Sequence, residues 1–378
     1  MLLPEAKEVN NMRDKNKIQR MLTGSIVPLM FLIISMVGIP LSRFSGVSLA
    51  DQIVTRLVRN TFIVLSLLLP IMAGMGINFG LGLGAMAGQI ALIFITDWGI
   101  TGWQGLLLAA LLSTPISIAL GYFGGLVLNR AKGREMITSM ILGFFIAGLY
   151  QFFLLYLCGN LIPFKSPNLL LSRGYGIRNA LDLPTAKGFD NLLLFKIKGI
   201  NLPIGTFLII IVLCFFTRWF RKTKLGQDMR AVGQDMVVAN SAGINVEKTR
   251  IQSIIISTVL AGYGQIIYLQ NIGTLNTYNG ADQAALFAAA SLLVGGASVV
   301  NATIPNAVIG TIIFHLMFLV MPVAGKYLTG QAMIGEYFRM FFSYGVVTIA
   351  LILHSWKRQK DKELERKSMR TETDHPKS

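Results

Sequence analysis

Long apolar stretches separated by short polar connections dominate the chain. A membrane-spanning helix needs about 20 largely apolar residues, and ten stretches approach that length. They cover residues 21–42, 60–78, 80–96, 105–128, 136–158, 200–217, 251–271, 284–300, 304–323 and 334–354. The pairs within 60–96 and 284–323 are nearly continuous, so broken or re-entrant helices are an alternative there. The pattern therefore predicts an all-α polytopic membrane protein with about ten transmembrane helices, and with eight as the lower bound.

Composition favours the same class of protein. The chain of 378 residues is 53% hydrophobic and only 14% charged, with a mean hydropathy of +0.60. Soluble domains carry about 25% charged residues. The formal net charge is +16, but the basic residues lie between apolar stretches, where they act as topology signals. We therefore expect a lipid bilayer, and no nucleic acid, as the partner of this charge.

The distribution of basic residues also predicts an orientation. Most Lys and Arg residues precede the first stretch, flank the connection near residue 132, lie within 218–250 or follow residue 356. Positive charge is enriched on the cytoplasmic side, so both chain ends are predicted to be cytoplasmic. The resulting domains are a cytoplasmic segment at 1–20, a transmembrane domain at 21–356 and a charged cytoplasmic tail at 357–378. Within the transmembrane domain, 159–199 is predicted to be an external loop and 218–250 a cytoplasmic loop.

Few residues are placed for enzyme chemistry. Cys158 and Cys214 lie inside apolar stretches, as small buried thiols commonly do. The three histidines, His315, His354 and His375, do not cluster, so no metal site is predicted. The chain has no G-x-x-x-x-G-K-[ST] phosphate loop, no HExxH motif and no usefully placed GxSxG motif. We expect no catalytic residue and no cofactor in this chain.

The predicted cytoplasmic loop carries the clearest functional signal. Residues 235–242 favour a short helix with small residues on one side, and Gly243 suits the left-handed position that ends a helix sharply. Lys248 and Arg250 follow at the start of the next apolar stretch. A short helix held between two membrane helices would present a rigid surface to a cytoplasmic partner. The alternative is a mere connecting loop.

This loop resembles a known signature. Its pattern is G-x-x-x-R-A-x-G, five residues, then A-x-x-A-G-I-x-V, and it is similar to the coupling loop of permease subunits of ATP-binding-cassette importers. The matching branch of that family serves simple sugars such as ribose and galactose, nucleosides and branched-chain amino acids. The matching positions are Gly226, Arg230, Ala231, Gly233, Ala239, Ala242, Gly243, Ile244 and Val246. The glycine-rich segment 76–89, the Gly295–Gly296 pair and Asp282 also resemble features of this family.

The resemblance implies a fold, partners and a location. It implies a type II-like importer permease that pairs with a second permease subunit, either a copy of this chain or a relative. Separate cassette ATPase subunits would use ATP and Mg, and an extracytoplasmic solute-binding protein would deliver the solute. The chain would lie in the bacterial plasma membrane, and its solute would be a simple sugar. The alternatives are a nucleoside importer or, in another class, an ion-coupled secondary transporter, with a membrane-embedded enzyme as a distant third.

Neutral polar residues inside apolar stretches are candidates for the translocation path. Asn78, Gln89, Gln265 and Asn301 cannot face lipid unpaired without a cost of several kcal/mol per unsatisfied group. They therefore either form hydrogen bonds between helices or line the path, where uncharged groups would suit a sugar or a nucleoside. The deep stretches contain few carboxylates, which argues against a proton-coupled carrier.

Two further patterns concern packing. The glycines at 80, 84 and 88 fall four residues apart, so we expect them to share a helix face on which another helix approaches closely. Tyr263 and Phe287 either stack on a solute or pack against neighbouring helices.

Overall fold

The computed structural model describes residues 27–331, 333–341, 344–345, 348–349 and 352. The predicted cytoplasmic segment 1–20 and the tail 357–378 lie outside the described residues. So do the first residues of the stretch 21–42 and much of the stretch 334–354.

Helices make up most of the described chain. In order they are α1 (Val27–Ser42), α2 (Gly46–Ser66), α3 (Leu68–Met72), α4 (Gly82–Asp97), α5 (Gly102–Arg130), α6 (Glu135–Phe152), α7 (Ile204–Phe220), α8 (Lys224–Gln234), α9 (Met236–Ser241), α10 (Val246–Ile272), α11 (Gly280–Val294) and α12 (Ile304–Thr329). A 3₁₀ turn precedes α4 (Phe79–Leu81), a π turn extends α6 (Phe153–Leu157), another 3₁₀ turn covers Pro167–Leu169, and residues 333–341 are also helical.

Six described helical segments are long and apolar enough to cross a membrane. They are Gly46–Met72, Phe79–Asp97, Gly102–Arg130, Glu135–Leu157, Val246–Ile272 and Ile304–Thr329. A seventh span results if α7 and α8, which meet at an angle of 71°, are taken together. The prediction of a mostly helical, multi-pass protein is confirmed.

Several helix boundaries differ from the sequence prediction, and two of them have a clear local cause. Helix α2 begins at Gly46, well before the predicted stretch 60–78, because Arg56 and Arg59 interrupt the apolar pattern without interrupting the helix. Helix α11 ends at Val294, before the predicted end at residue 300, because Gly296 takes a φ of +80° that an α-helix does not accommodate.

Helices α4 and α10 approach each other closely through glycine, as predicted for Gly84 and Gly88. A Cβ atom at Gly84 would lie 2.2 Å from the carbonyl oxygen of Thr258, and one at Gly88 would lie 2.6 Å from that of Gly262. The prediction was wrong for Gly80, which lies in the 3₁₀ turn before α4 and not on the same helix face. The helix begins only at Gly82, because the preceding chain turns there.

Gly84→Ala should destabilise the fold, since the new methyl group would overlap backbone that cannot rotate away. We expect a loss of about 1–3 kcal/mol, typical of overpacking, measured by reversible denaturation in mixed detergent micelles. Gly148→Ala is the matched control, because nothing lies within 4 Å of its Cβ position in α6, and it should be neutral or stabilising by up to about 1 kcal/mol. Equal effects of the two substitutions would contradict the close approach of α4 to α10.

The predicted external loop 159–199 contains short strands. Strand β1 (Ala180–Asp182) pairs antiparallel with β4 (Thr274–Asn276), and β2 (Leu194–Ile197) forms a hairpin with β3 (Ile200–Pro203). Three- and four-residue strands leave too short a pattern to recognise in sequence. The backbone NH of Ser166 donates to Asp97 at 2.9 Å, which fixes this loop to the end of α4.

The opposite end of the bundle collects the connections predicted to be cytoplasmic. The turn after α3 meets α8, where Gly74 and Gly233 are in close contact. Lys132, in the α5–α6 connection, lies 3.6 Å from Glu247 at the start of α10. The fold therefore separates the two predicted sets of loops to opposite ends.

Candidate functional site

Helix α8 begins with a sharp bend that requires glycine. The Thr223 hydroxyl accepts a hydrogen bond from the backbone NH of Gly226 at 3.3 Å, capping the helix. A Cβ atom on Gly226 would lie 2.1 Å from the carbonyl oxygen of Phe220. The bend of 71° between α7 and α8 therefore depends on the missing side chain at this position.

Helix α9 is a single short helix with well-defined ends. One carboxylate oxygen of Asp235 accepts hydrogen bonds from the backbone NH groups of Val237 (2.7 Å) and Val238 (3.0 Å). Gly243 follows the helix with a φ of +82°, as predicted from its sequence position. Asn245 then caps α10 by accepting from the NH of Lys248 at 2.9 Å. The predicted short helix and its glycine stop are confirmed.

One face of the α8–α9 pair packs against the rest of the protein, and the other face is exposed. Ala239 is buried against Val232 and Val246 in a small apolar cluster. Val237 and Val238, by contrast, are 76% and 64% exposed. Two adjacent exposed valines on a rigidly capped helix form an apolar surface of the kind that marks protein interaction sites. We call the exposed pair Val237 and Val238 the tip of α9.

The other matched loop positions divide between these two faces. Gly226 is buried, and Ala231, Gly233 and Ile244 are half-buried. Arg230, Ala242 and Gly243 are exposed. An open groove of about 800 Å³ runs beside the tip, lined by residues that include Lys132, Asn240 and Glu247.

Gly233 joins the loop directly to the membrane helices. A Cβ atom there would lie 2.3 Å from the carbonyl oxygen of Met72, at the end of α3. Gly74 takes a φ of +74° on the other side of the contact. Backbone therefore touches backbone between α8 and the end of the span Gly46–Met72, so neither element can shift without the other.

A buried ion pair makes a second connection. Arg250, which has no exposed surface, places a guanidinium nitrogen 2.5 Å from a carboxylate oxygen of Glu135. Another nitrogen of the same guanidinium lies 3.1 Å from the sulfur of Met236 in α9. The pair thus links the first turns of α6 and α10 to α9. Sequence reasoning missed it, since a lone acid and a lone base more than a hundred residues apart give no sign of pairing.

The four predicted path residues have different surroundings. The side chain of Asn78 accepts from the NH of Gly80 at 2.9 Å and so caps a turn. Gln89 accepts from the Tyr150 hydroxyl at 2.8 Å and donates to the carbonyl oxygen of Asn276 at 3.4 Å. Each of these two amides already has a structural role within the chain.

The other two path candidates differ from this pair. Gln265 is fully buried in α10, and neither its amide nitrogen nor its amide oxygen has a hydrogen-bond partner among the described residues. Asn301 is exposed in the connection before α12, where its backbone NH donates to the hydroxyl of Ser298.

The two aromatic candidates are held by neighbouring helices. The Tyr263 hydroxyl lies 2.8 Å from that of Thr114 in α5. The Phe287 ring packs edge-on against Phe318, with 4.9 Å between ring centroids.

At the end of α6, Cys158 is a free thiol whose pKa burial raises to about 11, so it stays protonated at neutral pH.

The spanning helices and the anchored loop at one end define a multi-pass membrane protein. The chain belongs to the family described as the permease component of the branched-chain amino acid transport system, which matches residues 49–351. This match includes both the helix bundle and the α8–α9 loop.

Three curated relatives resemble parts of the chain. A probable branched-chain amino acid transport permease, LivH of Methanocaldococcus jannaschii, is 41% identical over 81 residues, which is 21% of this chain. The nucleoside ABC transporter permease NupB of Lactococcus lactis is 37% identical over 68 residues, or 18% of the chain. The xylose transport system permease XylH of Haemophilus influenzae is 30% identical over 125 residues, or 33% of the chain.

These matches cover 25%, 19% and 32% of the respective relatives. Their names span an amino acid, a nucleoside and a sugar. No solved structure matches the chain.

Proposed function

We propose that this chain is the membrane-spanning permease subunit of an ATP-binding-cassette importer. In this proposal the tip of α9 docks on a separate ATPase subunit. The observation that carries the proposal is the tip itself, since Val237 and Val238 are exposed while Asp235 and Ala239 hold their helix rigidly. A rigid apolar projection is suited to transmit force, whereas a solvated connecting loop would have no need for it.

The contacts of the loop supply a route for that force. ATPase movement at the tip would reach the end of the span Gly46–Met72 through Gly233, because the two backbones touch there. It would reach α6 through Arg250 and Glu135. Together these contacts support a role for residues 226–246 in coupling. ATP and Mg would be used by the partner, and no cofactor is assigned to this chain.

The full topology belongs to the same proposal. We infer ten spans, in which α1, α7, α11 and the stretch 334–354 join the six long spanning segments. Both chain ends would be cytoplasmic, on the side of the α8–α9 loop, and the protein would lie in a bacterial plasma membrane. A second permease subunit and an extracytoplasmic solute-binding protein would complete the complex, the latter on the side of the strands β1–β4.

Gln265 is the most plausible of the four path candidates. A buried amide without a partner is costly, and a passing solute could supply the missing hydrogen bonds. Gln89 and Asn78 have less reason to contact a solute, because their amides are already bonded within the chain. Asn301 would serve only at the mouth of the path, since it is exposed.

The proposed solute is a small polar molecule, a simple sugar. The relative named as a xylose permease and the predicted glycine pair at 295–296 support this choice. A nucleoside is the alternative, supported by the relative named as a nucleoside permease. An ion-coupled carrier is the rival from another class, and uptake that survives ATP depletion but collapses with an uncoupler would favour it.

Replacing Arg230 with Glu, or Val237 with Asp, should weaken binding of the ATPase subunit. Both side chains are exposed at the loop, so either change alters the docking surface without disturbing buried contacts. The measurement is co-purification of ATP-hydrolysing activity with the affinity-tagged full-length chain. Ile197→Asp is the matched control, since Ile197 is 53% exposed in the β2–β3 hairpin at the opposite end. Undiminished ATPase recovery with both loop variants would overturn the proposed docking surface.

A further inference from the structure

Two arginines lie inside a membrane span without an acidic partner. Arg56 and Arg59 lie three residues apart in α2, within the span Gly46–Met72. The Nε atom of each is buried and has no hydrogen-bond partner, and neither guanidinium forms an ion pair with any described residue. Arginine within a span is rare, and it faces the protein interior or a water-filled cavity where it marks a functional site.

The position of these arginines along the span matters. Arg59 lies at the middle of the 27-residue segment, about 20 Å from either end at 1.5 Å per residue. Arg56 lies one turn nearer the end that carries the β2–β3 hairpin. Residues three apart on a helix lie side by side, and like charges so placed repel each other. A negatively charged group bound beside them would offset this repulsion.

A buried histidine and Arg56 both lie beside the same aromatic ring, that of Phe318. His315 of α12 is 4% exposed, and its Nδ1 atom has no partner among the described residues. Its ring centroid lies 5.8 Å from that of Phe318. The guanidinium carbon of Arg56 lies 6.0 Å from the centroid of the Phe318 ring, one turn further along α12.

A third arginine reaches the same ring but already has a partner. The guanidinium carbon of Arg339 lies 4.1 Å from the Phe318 centroid. Its nitrogen lies 2.5 Å from a carboxylate oxygen of Glu336. Arg339 therefore adds little net charge to the cluster.

The carboxylate of Asp190 forms no ion pair with either arginine among the described residues. Its oxygens accept hydrogen bonds from Thr206 (2.5 Å), Gln270 (2.9 Å) and Asn271 (2.6 Å). The Arg59 guanidinium instead lies over the ring of Tyr268, 5.3 Å from its centroid. Arg56 and Arg59 thus retain donors that no acidic group of the described chain occupies.

We propose that Arg56, Arg59 and His315 form a binding site for one oxyanion, a carboxylate or a phosphate group. The guanidinium fork matches both groups through paired hydrogen bonds. A bound oxyanion would offset the repulsion between the two arginines, and the unpartnered Nδ1 of His315 would supply a third polar contact. Both arginine side chains are partly exposed, so neither is sealed inside the helix bundle.

The site also restricts the chemical class of the transported solute, and this restriction rests on the proposed function. If the solute passes beside α2 and α12, it carries an acidic group, as a sugar acid or a sugar phosphate does. The phosphate of a lipid headgroup has the same chemistry and is the other source of the anion.

The test is binding of small anions to the purified full-length chain in phosphatidylcholine nanodiscs. Gluconate and ribose 5-phosphate serve as carboxylate and phosphate probes, and ribose serves as the neutral probe. At least one anionic probe should raise the unfolding temperature in a saturable way, and ribose should not. In the Arg56→Gln/Arg59→Gln variant the affinity should fall about tenfold or more, since the charge-assisted hydrogen bonds to the anion are lost.

The control variant removes two positive charges elsewhere. Lys165 and Lys196 are exposed at the end of the bundle that carries the β strands, so Lys165→Gln/Lys196→Gln should keep the affinity of the native chain. The single variant Arg56→Gln replaces the double variant if the latter does not fold. Equal affinity in native and arginine variants, or an equal loss in the lysine variant, would overturn the site.

The lipid source is tested separately, by native mass spectrometry of chain purified from phosphatidylglycerol nanodiscs. Phosphatidylglycerol retained by the native chain and lost from the arginine variant, with no response to soluble anions, would support the oxyanion site and overturn its assignment to the solute. No response to any anion in either form would overturn the site itself. Because the assay needs no ATPase, a failure of the proposed coupling would leave these results unchanged.

Discussion

Arg250→Met should lower the free energy of unfolding by about 3–5 kcal/mol, the usual effect of removing one partner of a buried ion pair. The substitution leaves the Glu135 carboxylate buried without the guanidinium that now lies 2.5 Å away. It also removes the contact with Met236 that ties α10 to α9. Reversible denaturation in mixed detergent micelles measures the change.

Two further variants separate the ion pair from simple loss of packing. Arg250→Met/Glu135→Leu should recover much of the stability, because no charge is then left buried. Lys132→Met breaks an exposed pair with Glu247, whose side chains are 51% and 68% exposed, and should change stability by less than about 1 kcal/mol. If the double variant is no more stable than Arg250→Met, the buried charge is not the cause.

Gly243→Trp should abolish coupling of transport to ATP hydrolysis while leaving the protein folded. Nothing lies within 4 Å of the Cβ position of Gly243, so the indole would project into the groove beside the tip of α9 without displacing its own chain. The positive φ of +82° adds strain of about 1–3 kcal/mol for a residue with a side chain. The measurement is solute-stimulated ATPase activity of the complex reconstituted in liposomes, with the unfolding temperature of the chain recorded in parallel.

Gly174→Trp is the matched control for this variant. Gly174 also has a positive φ, +83°, and also has nothing within 4 Å of its Cβ position, but it lies in the loop at the opposite end of the bundle. The two variants should therefore lose similar stability, and only Gly243→Trp should lose coupling. Normal coupled ATPase activity in Gly243→Trp would count directly against docking at this groove.

The glycines at 80, 84 and 88 show what a spacing pattern in the sequence can predict and what it cannot. The four-residue spacing predicted a shared face, and for Gly84 and Gly88 the backbone of α10 does lie against it. The same reasoning misplaced Gly80, because the start of α4 depends on how residues 73–78 turn after α3. The face of a regular helix is local information, whereas the residue at which the helix begins is decided by tertiary packing.

The four polar candidates for the translocation path show even more clearly that tertiary contacts cannot be predicted from spacing. Their sequence context was alike, and the choice between bonding within the protein and contacting a solute was left open. The structure supplies partners for Gln89 in α6 and in strand β4, whereas Gln265 has none among the described residues. Which amide is satisfied depends on residues up to 187 positions away, and no spacing in the sequence carries that information.

The membrane class, most of the spanning segments, and the short helix with its glycine stop at residue 243 could all be predicted from local sequence patterns. These follow from apolar length, helix caps and backbone conformation, all of which act over a few neighbouring residues. Local patterns could not predict that Glu135 meets Arg250, that Gly233 touches the end of α3, or that Arg56 and His315 lie beside the same Phe318 ring. Such contacts join residues distant along the chain, and their energies arise only when the helices have packed.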